Sequence, residues 1–370
     1  MEQAHEKMGP GVSQGAESPP GEMPDAQREL DDLERPQWAP AWMPDQLIRM
    51  HPILQLAVLL GLYAIHLLFI SKKTFPLPRQ LIPNDKGLLN EVGLDSIVGY
   101  IVILVVVGWR KIMKLGRPFP NLLQSENPPW KVPRQLKRTL APTTGILIVS
   151  YLASGYGAVF CEQVLCLLSV YGVPLTIPTL RAWKVLLGHL MWVYMGIRIL
   201  NRRLSPFFPP KGTWLRWKWN ANWLWWSIGG YAVSALLFNC ADVVNQFILP
   251  SSVFSEESVV NKLVNPENRD LFAMGIGSIG PCMSAPIFEE VLYRGFLLPA
   301  LTAFFPLSLA IPVSSVLFAI HHLNLSGVLP LSVLGLAWAI IYTQSRNLVV
   351  TILIHAMWNS RVFLVSLLGL

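Results

Sequence analysis

The sequence predicts an all-α, polytopic membrane protein with about eight transmembrane helices, the last of which form a C-terminal helical bundle. Three observations lead to this fold class. Apolar residues make up 52% of the 370 residues and charged residues only 14%, and the mean hydropathy is +0.44, which is too apolar for a soluble domain. Apolar stretches recur at about the 20 residues that a helix needs to cross the hydrocarbon core. Basic and acidic loops alternate between them.

The charge is unevenly distributed along the chain. The whole sequence carries a net charge of +7, whereas residues 1–50 contain ten acidic and four basic residues and therefore carry −6. This asymmetry is typical of membrane topology and gives no reason to expect a nucleic-acid partner. Residues 1–45 are rich in Pro, Gly, Glu and Asp and are predicted to form a disordered acidic tail.

Residues 46–270 are predicted to form an N-terminal transmembrane scaffold. Loops 110–138 and 198–218 are strongly basic and should face the positive-inside compartment, whereas loop 242–270 is net acidic and should face the opposite side. Tryptophans cluster where the fifth span begins and are interpreted as an interfacial belt. They are Trp219, Trp223, Trp225 and Trp226. The predicted spans are 53–70, 96–109, 140–161, 185–197 and 219–241.

The four cysteines lie in apolar segments, without a C-x-x-C spacing and without companion histidines at zinc-site intervals. We interpret them as small buried hydrophobic residues rather than as disulfide partners or metal ligands. They are Cys161, Cys166, Cys240 and Cys282.

Segment 285–298 places three ionisable side chains in an apolar region: Glu289, Glu290 and Arg294. Each ionisable side chain costs about 2.5–3.5 kcal/mol at the centre of a bilayer, so these residues need one another or a hydrated cavity as partners. Glu290 and Arg294 are four residues apart and share a helix face. The simplest interpretation of Arg294 is the counter-charge that permits a buried glutamate. Prolines recur from residue 281 onward and predict broken helices around a cavity.

Two further motifs follow with the same four-residue spacing: Phe318-x-x-x-His322 and His355-x-x-x-Asn359. Each alone is compatible with a structural role. Together with the two glutamates they supply a base, a second proton carrier and donors for an oxyanion, which is the set of groups that a hydrolase uses. A zinc site built from the same side chains is an alternative. A transporter whose buried charges line a permeation path is a second alternative, but the sequence does not show the paired, inverted discontinuous helices that such sites often use.

The three motifs, in this order, resemble the CPBP family of intramembrane proteases. This family includes the type II CAAX prenyl endopeptidases and the bacteriocin-immunity and lysostaphin-resistance type proteins. The resemblance covers residues 271–370, which it identifies as a CPBP, CAAX protease-like catalytic domain. The residues around Arg294 and His355 are similar to bacterial and plastid members more than to the prenyl proteases of the endoplasmic reticulum.

The resemblance implies roles for the site residues. Glu289, with His322, would activate the water that attacks a peptide carbonyl. His355 and Asn359 would stabilise the oxyanion. His321 lies about 100° from His322 on a helix and need not enter the site. The remaining histidines of the apolar segments are interpreted as packing or interfacial residues, and these are His51, His66 and His189.

Glu290 and Arg294 would support the first helix, with Glu290 also taking part in the proton chemistry. Under this scheme no cofactor is required. A divalent metal such as zinc is the alternative, with ligands from Glu289, Glu290, His322 and His355.

The resemblance therefore implies an intramembrane endopeptidase that lies in the lipid bilayer and cleaves a membrane-embedded or prenylated protein. Many members of the family have no demonstrated proteolysis, so the alternative is a membrane scaffold or chaperone that binds partner proteins. The motif residues favour a plastid membrane, and the prenyl-protease activity would favour the endoplasmic reticulum.

Overall fold

The computed structural model describes residues 43–70, 95–114, 128–205, 215–254 and 259–367. Every regular element within these ranges is a helix. The predicted acidic tail lies outside the described residues from 1 to 42, and Asp45 begins the one-turn helix Asp45–Ile48. The long helices are α1 Pro52–Ile65, α2 Asp95–Ile112, α3 Lys137–Val170, α4 Ile177–Leu204, α5 Leu224–Ile248, α6 Leu271–Thr302, α7 Leu307–His321, α8 Val328–Ser345 and α9 Leu348–Leu367.

Five helical stretches are long and apolar enough to cross a membrane, and shorter apolar helices lie at 52–68 and 307–321. The all-α, polytopic class predicted from the sequence is thereby confirmed. The number of about eight spans stays a prediction, because length and composition single out five among the described residues. The five are Arg134–Val170, Leu224–Ile248, Leu271–Thr302, Leu325–Ser345 and Leu348–Leu367.

Two local interpretations from the sequence were wrong. Trp223, assigned to an interfacial belt, is completely buried, and its indole N–H donates to the backbone carbonyl of Trp219 at 3.0 Å. Two of the four free cysteines, Cys166 and Cys240, lie exposed on the protein surface instead of in the core. In a membrane-spanning helix an apolar composition does not separate a core position from a lipid-facing one, because both environments favour apolar side chains.

Helix α6 carries the Glu-Glu-Arg motif and does not break at its prolines. It runs from Leu271 to Thr302 and absorbs the irregularities in two π-helical turns, Gly280–Ser284 and Val291–Leu297. Such turns insert one residue into the helical register and recur at functional sites. The broken helices predicted from residue 281 onward take the form, in this segment, of one continuous helix with two π-helical turns.

Asp270 caps the start of α6 and ties it to α4. Its carboxylate accepts a hydrogen bond from the backbone N–H of Ala273 at 3.0 Å and one from the hydroxyl of Thr176, the N-cap of α4, at 2.7 Å. The hydrogen bond from Thr176, followed by that from Ala273, lowers the pKa of Asp270 below its ordinary value. An ionised carboxylate at this position also complements the helix dipole.

A polar cluster holds α2 and α5 against the last part of α9. The guanidinium of Arg361 lies 3.0 Å from Asp95 Oδ2, and Asn239 donates to Asp95 Oδ1 at 3.2 Å and to Ser96 Oγ at 2.8 Å. Asp95 is buried, so the pair compensates a charge that would otherwise be costly inside the bundle. The cluster fixes α9, the helix that carries His355 and Asn359.

Helices α7 and α8 cross at Gly335. A Cβ atom at this glycine would lie 3.0 Å from Ser315 Cα and 3.1 Å from the Ser315 carbonyl oxygen. Both are backbone atoms of α7, which cannot rotate away as a side chain can. Glycine therefore permits the close approach that brings His322, at the end of α7, next to α8 and the site.

We expect Gly335→Ala to lower stability by about 1–3 kcal/mol, because the added methyl group overpacks the crossing of α7 and α8. Gly275→Ala is the matched control, since a Cβ atom there meets nothing within 4 Å. Thermal unfolding in detergent checks the difference. Equal unfolding temperatures of the two variants would contradict the assigned role of Gly335.

Candidate active site

Three helices bring the six predicted site residues together. Glu289, Glu290 and Arg294 lie in the middle of α6, His322 follows the last turn of α7, and His355 and Asn359 lie one turn apart on α9. All except His322 are buried or half-buried.

Glu290 occupies the centre of the site. Its Oε1 accepts a hydrogen bond from Arg294 Nη1 at 2.8 Å and lies 3.0 Å from His355 Nδ1. The side chains of Glu290 and Arg294 are 0% and 1% exposed. A carboxylate oxygen can only accept, so His355 carries its proton on Nδ1 and donates it to Glu290. Glu290 therefore fixes both the guanidinium on its own helix and the tautomer of a histidine on α9.

Arg294 connects α6 to α7 and α8. Its Nη2 donates to the backbone carbonyl of Gly335 at 3.2 Å. The guanidinium lies over the rings of Phe318 and Trp338, 4.7 and 5.4 Å from their centroids. Arg294 thus has the contacts of a counter-charge for Glu290, and the cation–π contacts lower the cost of its burial further.

Glu289 and His322 face each other across a gap. Glu289 Oε2 lies 3.9 Å from His322 Nε2, and within the described part of the chain Oε2 has no hydrogen-bond partner. His322 Nδ1 lies 2.9 Å from the carbonyl oxygen of Phe318, which can only accept, so Nδ1 carries the proton. In the neutral ring Nε2 is then an acceptor. Two acceptors, one carboxylate oxygen and one imidazole nitrogen, point at the same gap.

The amide of Asn359 binds a backbone carbonyl that the first π-helical turn leaves without a helical donor. In that turn the N–H of Ala285 bonds to the carbonyl of Gly280, five residues earlier. The same register would pair the carbonyl of Pro281 with residue 286, which is a proline and has no N–H. Asn359 Nδ2 donates to the Pro281 carbonyl at 2.8 Å instead. This bond orients the amide of Asn359 and leaves its second N–H available.

Aromatic rings line the site, and no sequence pattern distinguishes most of them. The ring of Trp338 lies 4.6 Å from that of His355, and Phe318 stands edge-on to His322 at 4.9 Å. Trp338 is fixed from outside because its indole N–H donates to Ser234 Oγ at 2.9 Å. Phe318 belongs to a motif and could be predicted, whereas Trp338 is one of 14 tryptophans in the chain without a distinguishing spacing.

The other histidines divide into two groups. His321 lies next to the site, with its ring 5.4 Å from that of His322 and 4.5 Å from that of Tyr151. His189 contacts Trp192, whose ring meets Phe288 at 4.7 Å, so it lies nearer the site than the sequence indicated. His66 packs against Tyr231 elsewhere in the bundle.

A metal centre receives no support from the arrangement of the described side chains. Among them, no three His, Cys, Asp or Glu residues converge closely enough to hold an ion. Glu290 is occupied by Arg294 and His355, and its guanidinium partner already balances its charge. The scheme without a metal stays a prediction.

The helical bundle thus buries a Glu-Glu-Arg motif against two histidines and an asparagine, the residues of the three sequence motifs. Comparison with known proteins agrees: residues 270–361 match the family described as type II CAAX prenyl endopeptidase Rce1-like. This match confirms the family resemblance found in the three motifs.

One curated relative is the "Putative membrane peptidase YdiL" of Bacillus subtilis (strain 168), to which the chain is 26% identical over 145 residues. The similarity covers 38% of this chain and 56% of the relative, so the chain spans about half the length of that protein. No solved structure matches the chain.

We expect Glu290→Ala and Arg294→Ala each to lower stability by about 3–5 kcal/mol, because either change leaves an uncompensated charge in the bundle. The double variant should lose less stability than the two single variants lose together, since it removes both charges. Thermal unfolding in detergent measures all three.

Glu267→Ala serves as the control for this double-mutant cycle. Glu267 pairs with Arg181 at 3.1 Å, but its side chain is 56% exposed. We expect little change in the stability of this variant, because exposed ion pairs contribute little to the free energy of unfolding. Additive losses at Glu290 and Arg294 would show that the two side chains do not act as a pair.

Proposed function

We propose that this protein is an intramembrane endopeptidase of the CPBP type, which hydrolyses a peptide bond of a membrane-embedded or lipidated protein. The observation that carries the proposal is the gap of 3.9 Å between Glu289 Oε2 and His322 Nε2. This distance is too long for a direct hydrogen bond. A water molecule beside the two atoms, within hydrogen-bond distance of both, would donate one hydrogen to each, and either acceptor could take a proton from it as it attacks a carbonyl carbon.

The surroundings of the two neighbouring glutamates differ, which supports different roles for them. Glu290 holds Arg294 and His355, and its charge is compensated within the bundle. Glu289 Oε2 lies 3.9 Å from His322 Nε2, and within the described residues it makes no hydrogen bond. A carboxylate that is not engaged in an ion pair is free to accept and release a proton. The proposal therefore assigns the base to Glu289 and the structural role to Glu290.

The oxyanion would be stabilised by His355 and Asn359. Because His355 Nδ1 donates to Glu290, its Nε2 can donate to an oxyanion only when the ring is an imidazolium, for which the Glu290 carboxylate is the counter-charge. Asn359 has one N–H on the Pro281 carbonyl and a second to offer. Donors held in place before the reaction usually provide the largest contribution to catalysis of acyl transfer.

The substrate class follows from the position of the site and from the family. Five of the six site residues lie on α6 and α9, which are long and apolar enough to cross a membrane, and His322 follows the shorter apolar helix α7, so a scissile bond would reach them from within or beside the bilayer. We propose a prenylated or otherwise membrane-anchored protein as the substrate. The compartment proposed from the motif residues is a plastid membrane, with the endoplasmic reticulum as the alternative.

Glu289→Gln should abolish cleavage while the protein stays folded, because it removes the base but keeps the size of the side chain. A loss of about 10²–10⁴-fold is the usual contribution of general acid–base catalysis. The purified protein is tested in detergent on prenylated and unprenylated C-terminal peptides.

The matched control for this assay is Glu267→Gln, on the exposed Glu267, which should cleave as well as the wild type. A Glu289→Gln variant that still complements a null mutant in full would instead indicate a scaffold or chaperone that works by binding partner proteins.

Asn359→Ala should lower kcat by about 10²–10³-fold, the range found when one oxyanion donor is removed, with a small effect on KM. Steady-state kinetics on the same peptides separates the two parameters. A change confined to KM would assign Asn359 to substrate binding and contradict its role in stabilising the oxyanion.

A further inference from the structure

Several buried polar atoms without protein partners belong to side chains near the predicted catalytic pair. Among the residues that the structure describes, ten buried side-chain nitrogen and oxygen atoms make no hydrogen bond to protein. Five of them belong to four side chains in this region: Glu289 Oε2, His321 Nδ1, His321 Nε2, Trp192 Nε1 and His189 Nε2. Folded proteins rarely leave such atoms unsatisfied, and ordered water is the usual partner where protein supplies none.

These side chains are neighbours. The ring of Trp192 lies 4.8 Å from that of His321 and 5.9 Å from that of His189. Trp192 also meets Phe288, the residue before Glu289, edge-on at 4.7 Å. Phe288 fits there because Gly196 has no side chain: a Cβ atom at Gly196 would lie 2.2 Å from the Phe288 ring. The contacts run from His189 through Trp192 to the helix that carries Glu289.

His321 is positioned between this group and the predicted catalytic pair. Its ring lies 4.5 Å from Tyr151, 5.4 Å from His322 and 6.0 Å from Tyr293. The Tyr151 hydroxyl donates to the backbone carbonyl of His321 at 3.2 Å, which fixes the end of α7. Tyr293 lies one helical turn after Glu289 and shares its face. His321 therefore has ring contacts both with Trp192 and with His322 of the predicted catalytic pair.

The donor and acceptor types of these atoms suit water. Trp192 Nε1 can only donate, the carboxylate oxygen of Glu289 can only accept, and a neutral histidine offers one atom of each kind. No direct pairing satisfies all of them, whereas water both donates and accepts. A buried water typically makes about three hydrogen bonds to groups of this kind.

We propose that His189, Trp192, His321 and Glu289 form a buried water-binding site behind the predicted catalytic pair. The inference that this water supplies the reacting water rests on the proposed function; the water site itself does not. His321 and His189 are positioning residues, which act on the reaction through bound water and do not touch the substrate. The site also accounts for a histidine with two buried nitrogens inside a membrane bundle.

Hydroxyl-radical footprinting by X-ray exposure of the purified full chain tests the site, with water itself as the probe. Radicals formed from a bound water label the side chain that it touches, even where bulk solvent has no access. Trp192 is 4% exposed and Trp223 is 0% exposed, but the indole N–H of Trp223 already donates to Trp219. We expect labelling of Trp192 and none of Trp223. A Trp192 as unreactive as Trp223 would overturn the proposal, and this comparison needs no variant.

The variant His321→Phe keeps the ring and removes both nitrogens. We expect Trp192 labelling to fall to the level of Trp223, and His189→Phe gives a second measurement where His321→Phe does not fold. His66→Phe is the control, because His66 Nε2 also lacks a partner among the described residues but lies against Tyr231. Equal loss of labelling in His66→Phe would contradict a local water site.

On peptide substrates, His321→Phe should lower kcat by about 10²-fold with KM unchanged, as expected when a reactant is misplaced. Labelled Trp192 in a wild-type protein that cleaves no peptide would leave the water site standing and reject the proposed function. Cleavage by the wild type with an unlabelled Trp192 would reject the water site alone.

Discussion

The ion pair between Glu290 and Arg294 is the interaction on which the rest of the site depends. Two fully buried charges in a bundle that spans the membrane would be expensive alone, and their contact of 2.8 Å makes the burial possible. The pair also distributes contacts over four helices. Glu290 binds His355 on α9, and Arg294 reaches the backbone of α8 and the ring of Phe318 on α7. It is thus the most buried of the polar contacts that hold α7, α8 and α9 against α6.

This arrangement also determines the surroundings of the neighbouring Glu289. Glu290 neutralises Arg294 and orients His355. Glu289 therefore does neither, and it faces His322 across a gap. Two carboxylates that are adjacent in the sequence thus experience different surroundings, and this is the condition under which a pair of acids can divide structural and proton-transfer roles. The bundle achieves the division through the directions that successive residues take around a helix.

The sequence was sufficient for the parts of the structure that follow from polarity and spacing. The scarcity of charged residues predicted the helical membrane class. The four-residue spacings predicted that Glu290 and Arg294 share a face, as do His355 and Asn359. The features that it did not predict depend on tertiary packing. Trp338 lies next to His355 on a helix, α8, that packs closely against α7 at Gly335. A close contact between two helices cannot be predicted from a local sequence pattern. Trp223 resembles an interfacial tryptophan in sequence and is buried in the structure.

The bond between Asn359 and the Pro281 carbonyl links two parts of the chain that are distant in sequence. Pro286 withholds a backbone hydrogen, the carbonyl one turn before it is left without its helical donor, and a side chain from another helix takes that place. Pro286 and Asn359 are therefore coupled through one carbonyl: restoring an N–H at position 286 would create a competitor for the Pro281 carbonyl, and the amide of Asn359 would lose its anchor. Backbone chemistry in one helix sets the rotamer of a polar side chain in its neighbour.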